Sequence, residues 1–274
     1  MPRRPILRAL CLILLIIPPL HAQTITPHDA FAALYTAVDS YLDKAHAHQL
    51  FTYTFFKQLT YSKASGKPYA HRTQKFEMLY IGGRPYVRLL ESDGKPLSGK
   101  AAQNEQQRYD QAVQDSSGMS MAKWIDLHAH GHAVGYDLPL DDLKSKFSTQ
   151  FLGSETIDGL PLLHFHLHTI SNSMDEPHPV TPQEIDLWLD YTTKSLVKMT
   201  FHLLADSPEL LTGSSGTTDY FLVDGILCTG HANVHYIFKT HNHVELVDSD
   251  LLYANYKKFT TTIKILPDPE PATP

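Results

Sequence analysis

With 42% hydrophobic and 19% charged residues over 274 positions, the chain carries enough apolar material for a packed core, which excludes a disordered protein. The net charge is −6 with His neutral, and no segment concentrates Lys and Arg. A nucleic-acid partner, which needs a basic face, is therefore excluded.

Residues 1–22 read as a Sec-type signal peptide. Arg3, Arg4 and Arg8 form a positive leader, Ala9 to Ile17 are apolar, and Leu20-His21-Ala22 places a small residue before Gln23. The apolar run falls short of the ~20 residues that a membrane-spanning helix needs. Export followed by cleavage at Gln23 or Thr24 is expected, with an uncleaved N-terminal anchor as the other reading. Cys11 goes with the leader, so Cys228 is the one thiol of the mature chain and no internal disulfide is expected. Cys228 lies in an apolar strand-like run with nothing basic beside it, which fits an inert buried thiol.

From Pro27 to about His48 the period is helical: Ala30, Leu34, Ala37, Val38 and Tyr41 recur at steps of three and four, and Thr26 can cap. The period then changes to two. Phe51, Tyr53, Phe55, Lys57, Leu59 and Tyr61 share one face, and Phe76, Met78 and Tyr80 alternate likewise after the turn at Ser65-Gly66. Gly82-Gly83 turns the chain into a third strand ending near Glu91. Residues 98–114 favour helix but carry almost no large apolar side chain, which predicts a solvated helix. A short helix is expected over 139–147.

The second half is strand after strand: 149–157, 160–169, 184–191, 196–204, 220–223, 226–239, 244–252 and 256–265. Asp158-Gly159 and Asp224-Gly225 are strong hairpin turns. Residues 267–274 are Pro-rich and predicted to be a disordered tail. This order lacks the regular strand–helix alternation of a doubly wound sheet. It predicts an α+β fold: a strongly curved antiparallel sheet, an unclosed β-barrel, with helices packed on its concave side. One domain is expected over 23–266, with a polar helical insertion near 98–147.

Three stretches carry a resemblance. Gly153-Ser154-Glu155-Thr156-Ile157-Asp158-Gly159-Leu160-Pro161, followed by the alternating Leu163-His164-Phe165-His166-Leu167, resembles a segment of periplasmic lipoprotein carriers. Ile185 to Met199 resembles the strand–turn–strand of the same proteins, and Tyr253 to Phe259 a closing strand. The chain is thus similar to the LolA/LolB-type superfamily, convincingly so over 149–201. The resemblance implies an unclosed barrel around an apolar cavity that holds acyl chains, and a periplasmic location. It departs from that pattern over 93–150. On this basis the candidate lining is Phe76, Met78, Tyr80, Leu187, Leu189, Val197, Met199 and Phe201. Each buried methylene of a ligand contributes ~0.8 kcal/mol in such a cavity. The same residues also suit a plain filled core.

Seventeen His, many two apart, offer a different chemistry. His-x-His on a strand puts both rings on one face, where a third ligand can complete a zinc site. His164, His166 and His168 form one such row, and His128, His130 and His132 a second. A solvated polar face explains the first row equally well. There is no His-Glu-x-x-His helix, no Gly-x-Ser-x-Gly elbow and no phosphate-binding Gly loop. Asp186 and Asp190 alternate on a strand opposite Leu187 and Leu189, as a solvated face does.

The sequence thus points to a non-catalytic periplasmic protein that is not integral to the membrane. It is expected to act as a monomer, to need no cofactor, and to bind an acyl chain or lipoprotein. Two alternatives remain open: a His-rich metal-binding protein or metal-dependent hydrolase, and an envelope scaffold that binds a partner protein.

Overall fold

The computed structural model describes residues 25–47, 51–116, 118–124, 127–128, 143–170, 181–207, 210–239 and 243–258. The signal-peptide and tail segments, His130 and His132 lie outside the described residues. The described residues form the helices α1 (Pro27–Ala47), α2 (Gly99–Asp115), α3 (Met121–Trp124) and α4 (Leu143–Lys146). The strands are β1 (Phe51–Lys63), β2 (Pro68–Ile81), β3 (Arg84–Ser92), β4 (Lys95–Pro96), β5 (Phe147–Ile157), β6 (Leu160–Thr169), β7 (Gln183–Asp190), β8 (Ser195–Leu203), β9 (Ser215–Val223), β10 (Ile226–Lys239) and β11 (Val244–Lys258). They make one antiparallel sheet in the order β4-β3-β2-β1-β11-β10-β9-β8-β7-β6-β5, open at both ends. The α+β class and the unclosed sheet are as expected.

The turns follow from chemistry. Asp158-Gly159 and Asp224-Gly225 each hold two successive positive φ angles (51° and 82°; 52° and 77°), the conformation that matches the twist of a tight hairpin. The Thr26 hydroxyl accepts the Asp29 N–H at 3.2 Å and starts α1. One expectation is corrected: residues 244–252 and 256–258 belong to a single strand, while residues 259–265 lie outside the described residues. Asn255 adopts φ 58° as a bulge, and β11 continues through it to pair Lys257 and Lys258 with Thr52 and Phe51. Of the helix expected over 139–147, Leu143–Lys146 are helical and Phe147 pairs with Thr169 in the sheet; residues 139–142 lie outside the described residues.

Paired residues point to the same side, so one inner face can be followed across the sheet from Phe151 through Phe165, Leu187, Met199, Thr218, Ala232 and Leu251 to Lys57 and Gln74. α1 packs on this face, chiefly against β5, β7, β8 and β10. It buries Ala30, Ala33, Leu34, Ala37 and Val38 against Phe165, Leu187, Leu189 and Met199. Phe31 meets Phe165 edge-on at 5.5 Å, and Tyr41 meets Tyr220 at 6.0 Å.

α2 does not share that side, which corrects the expectation that the helices lie together. It meets β3 where that strand has no further partner. Tyr86, on the opposite face from Val87, is buried with Ala112 and Trp124. The backbone groups of Pro85, Val87 and Leu89 point away from β2 and are met by side chains. Trp124 Nε1 donates to Pro85 O at 2.7 Å, Arg108 donates to Val87 O, and Leu89 N donates to Glu105 Oε1 at 3.4 Å. Glu105 also accepts from Tyr86 at 3.0 Å and pairs with Arg108 at 2.8 Å. α2 and Trp124 therefore blunt an edge that would otherwise template pairing with another chain. α2 is solvated as expected, with only Ala112 fully buried.

Glu105→Ala would leave the buried Tyr86 hydroxyl without its acceptor and the half-buried Arg108 without its ion-pair partner, at ~1–3 kcal/mol. The expected outcome is a lower melting temperature together with concentration-dependent association, read by calorimetry and light scattering. Cys228 is buried and in no disulfide, so the melting curve is expected to be the same with and without dithiothreitol.

Candidate functional site

The eight candidate lining residues fall into two groups along the inner face. Leu187, Leu189, Met199 and Phe201 sit beneath α1, exposed by 0%, 0%, 2% and 6%. All four are buried beneath the helix. Val197 is only half-buried. A register shift after Trp188 pairs Leu189 with Leu196, and it is Leu196 that joins the core.

Phe76 and Met78 lie elsewhere, in a second cluster with Tyr53, Phe55, Val87, Leu251 and Tyr253. Phe55 stacks on Phe76 at 4.9 Å, and Tyr53 on Tyr256 at 4.9 Å. Here Phe76 is buried, while Met78 and Leu89 are half-buried beside it. Tyr80, the next inward position of β2, pairs with Pro85 and is also half-buried; desolvation pushes its hydroxyl up to about 12. This second half of the inner face is outside the strands that α1 chiefly covers. A separate surface depression of about 580 Å³ lies at the tip of the β1–β2 hairpin, lined by Ser62, Lys63, Tyr69, His243 and Val244 among others. None of the eight candidates lines it.

Sequence reasoning passed over Lys57. It occupies an inward position of β1, opposite Gln74 on one side and Leu251 on the other, with Phe55 and Leu59 before and after it on the same face. Burial pushes its ammonium below the usual lysine range. The cause is desolvation alone. Arg72, opposite Leu59, is its diagonal neighbour and lies over the Tyr61 ring at 5.8 Å. The inward positions of β10 and β11 nearby are Ala232, Val234, Leu251, Ser249 and Val247, so no carboxylate faces Lys57 among the described residues. The inward Glu245 is six residues from Leu251, about 20 Å along the strand, and accepts from Tyr69. The signal was legible as one charged position within the apolar alternation of residues 51–61.

The His rows stand on the other face. Asp186 Oδ1 accepts from His164 Nε2 and His166 Nδ1, each at 3.0 Å. His168 Nδ1 lies 3.8 Å from Glu184. His164 stacks on Trp188 at 4.5 Å, and Trp188 donates to Glu155. The same cross-strand pattern recurs at His231 with Asp250 (3.0 Å) and His235 with Asp248 (2.6 Å). These are paired polar positions of a solvated face. His128 is buried at 4% exposure, ring against Trp124 at 4.4 Å, with Nε2 3.2 Å from Asp115. Among the described residues no group of three or more His, Cys, Asp or Glu is placed to hold a metal ion.

An ammonium taken from water without a partner costs stability. The folded chain binds fewer protons at Lys57 than the unfolded chain between the lowered value and 10.5. Stability from this group therefore rises with pH across that alkaline window. Lys57→Met is expected to remove this dependence and to raise the melting temperature at neutral pH by ~2–4 °C per kcal/mol relieved, measured by calorimetry from pH 7 to pH 10.5.

No family model matches the chain, and no curated protein matches it. Solved structures do. A LolA superfamily protein from Nitrosomonas europaea aligns at 11% identity over 85% of this chain and 94% of its own, with a TM-score of 0.34. A putative outer membrane lipoprotein-sorting protein domain from Vibrio parahaemolyticus aligns at 11% over 83% and 94%, TM-score 0.36. A DUF1329 family protein from Desulfovibrio piger aligns at 11% over 82% and 93%, TM-score 0.36.

Proposed function

We propose that the chain is an exported, non-catalytic envelope protein that binds an acyl chain, free or attached to a lipoprotein, on the inner face of its open sheet. In this reading residues 1–22 are removed on export, residues 23–266 act as one monomeric domain, and the protein works in the periplasm. No described helix is long and apolar enough to cross a membrane.

The observation that carries the proposal is the uneven cover of the inner face. Under α1 the apolar residues are sealed, whereas Met78, Leu89 and Tyr80 continue the same face half-buried beside the Phe55–Phe76 stack. An aromatic and methionine surface of this kind suits a flexible methylene chain, because thioether and ring contacts adapt to its shape. Displacement of α1 would lengthen the groove by uncovering Leu187, Leu189, Met199 and Phe201.

The test is an uncharged apolar fluorescent probe. The folded protein is expected to bind it and to release it to long-chain fatty acid. Met78→Arg is expected to abolish binding with an unchanged melting curve, since an arginine at a half-buried position can extend its guanidinium to water. Leu189→Arg, beneath α1, has no such exit and is expected to cost several kcal/mol and unfold the domain. A wild type that never binds the probe rejects acyl binding in favour of a scaffold whose open face meets a partner protein. N-terminal sequencing of envelope-fraction protein is expected to begin at Gln23 or Thr24; recovery of Met1 would overturn cleavage.

A further inference from the structure

We infer that the acyl ligand is an acid, and that Lys57, assisted by Arg72, holds its anionic head while the tail lies along the Phe55, Phe76 and Met78 strip. This rests on the proposed acyl-binding reading and names the ligand class for it.

Three observations meet at this point of the sheet. First, Lys57 is directed inward at the border of the second apolar cluster: Phe55, two residues before it on the same face, is stacked on Phe76, and Met78 and Leu89 follow across β2 and β3. A chain lying on that strip ends at the ammonium. Second, the local charge is uncompensated. Gln74, Leu251, Leu59 and Phe55 surround Lys57, Arg72 adds a second cation on the diagonal, and no acid faces them among the described residues. The sheet supplies an acid to a cation elsewhere: Lys75 pairs with Glu91 at 2.9 Å. Third, the His–carboxylate pairs of the opposite face show where this fold puts acids, and it is not beside Lys57.

A half-buried cation with no partner costs stability unless something else meets it. An anion carried by an apolar chain meets it and brings its own desolvated surroundings, where a charge-assisted hydrogen bond is stronger than in water. A neutral acyl chain leaves the ammonium unpaired. Carboxylate and phosphate heads share the required chemistry, so a fatty acid and an anionic phospholipid are both accommodated by the charge.

The experiment compares two fluorescent probes with the same tail, a long-chain fatty acid and its methyl ester, on the full mature protein. The wild type is expected to bind the acid at least ten-fold more tightly. Lys57→Gln is expected to lose that preference and keep ester binding, with a melting temperature no lower than that of the wild type, while Lys57→Arg keeps the preference. Displacement of the acid probe by a short-chain phosphatidic acid, with inorganic phosphate having no effect, is the result expected of a lipid head; displacement by phosphate alone would show a free-anion site and overturn the assignment to a lipid. Equal binding of acid and ester by the wild type, or a preference that survives Lys57→Gln, overturns the role of Lys57 and leaves acyl binding standing. Failure of both probes rejects acyl binding itself.

Discussion

The pairing of the first strand with the last holds this molecule together. β1 and β11 run antiparallel from Phe51 opposite Lys258 to Lys63 opposite Glu245, closing almost the whole described chain into one loop. Without that ladder the sheet divides into a four-strand piece, β4-β3-β2-β1, and a seven-strand piece from β11 to β5. Such a contact spans about 200 residues of sequence and must repay a large loop-closure entropy before neighbouring contacts reward it. It is reinforced by side chains: the Thr54 hydroxyl donates to Ala254 O at 3.3 Å, and Asn255 donates to Thr54 at 2.9 Å.

The same seam places the chemistry. It sets Lys57 between Gln74 and Leu251, and it joins the aromatic rings of β1 to Tyr253 and Tyr256 of β11. The Tyr256 hydroxyl, pushed far up by burial among these rings, donates to Thr229 O at 2.8 Å and so ties the bulged end of β11 back to β10. The seam divides the inner face into two environments. One is sealed by α1 and supplies stability. The other keeps a half-buried apolar strip with a cation at its border, which is an expensive arrangement for a surface with no ligand.

The two sheet edges are handled differently. On the β3 side, one helix and one indole satisfy successive backbone groups through Glu105, Arg108 and Trp124. On the β5 side, the strand is interrupted by a bulge at Leu152, with Gly153 at φ 112°, a conformation closed to most side chains. Capping and bulging are alternative ways to stop an open sheet from growing. Both devices leave the edges of the described sheet poorly suited to pairing with a further strand.

Local chemistry was enough to give α1, most of the strands and the tight hairpins, because capping, period and Asp-Gly turns act over a few residues. It also gave the polar outer face: His164, His166 and His168 alternate with Phe165 and Leu167, and the structure keeps that alternation. Which apolar residues share a cluster was beyond it. Phe76 and Leu187 have the same strand pattern, yet one belongs beside Tyr253 and the other beneath Leu34, because register and strand order are set by contacts between distant segments. The bulges at Asn255 and after Trp188 shifted faces in a way that a period of two cannot foresee. The role of the polar helix was hidden for the same reason: Glu105 and Arg108 look like solvated charges until the edge of β3 is brought against them. Lys57 was visible as one charge among apolar neighbours, but only the arrangement of four strands around it left that charge without an acid.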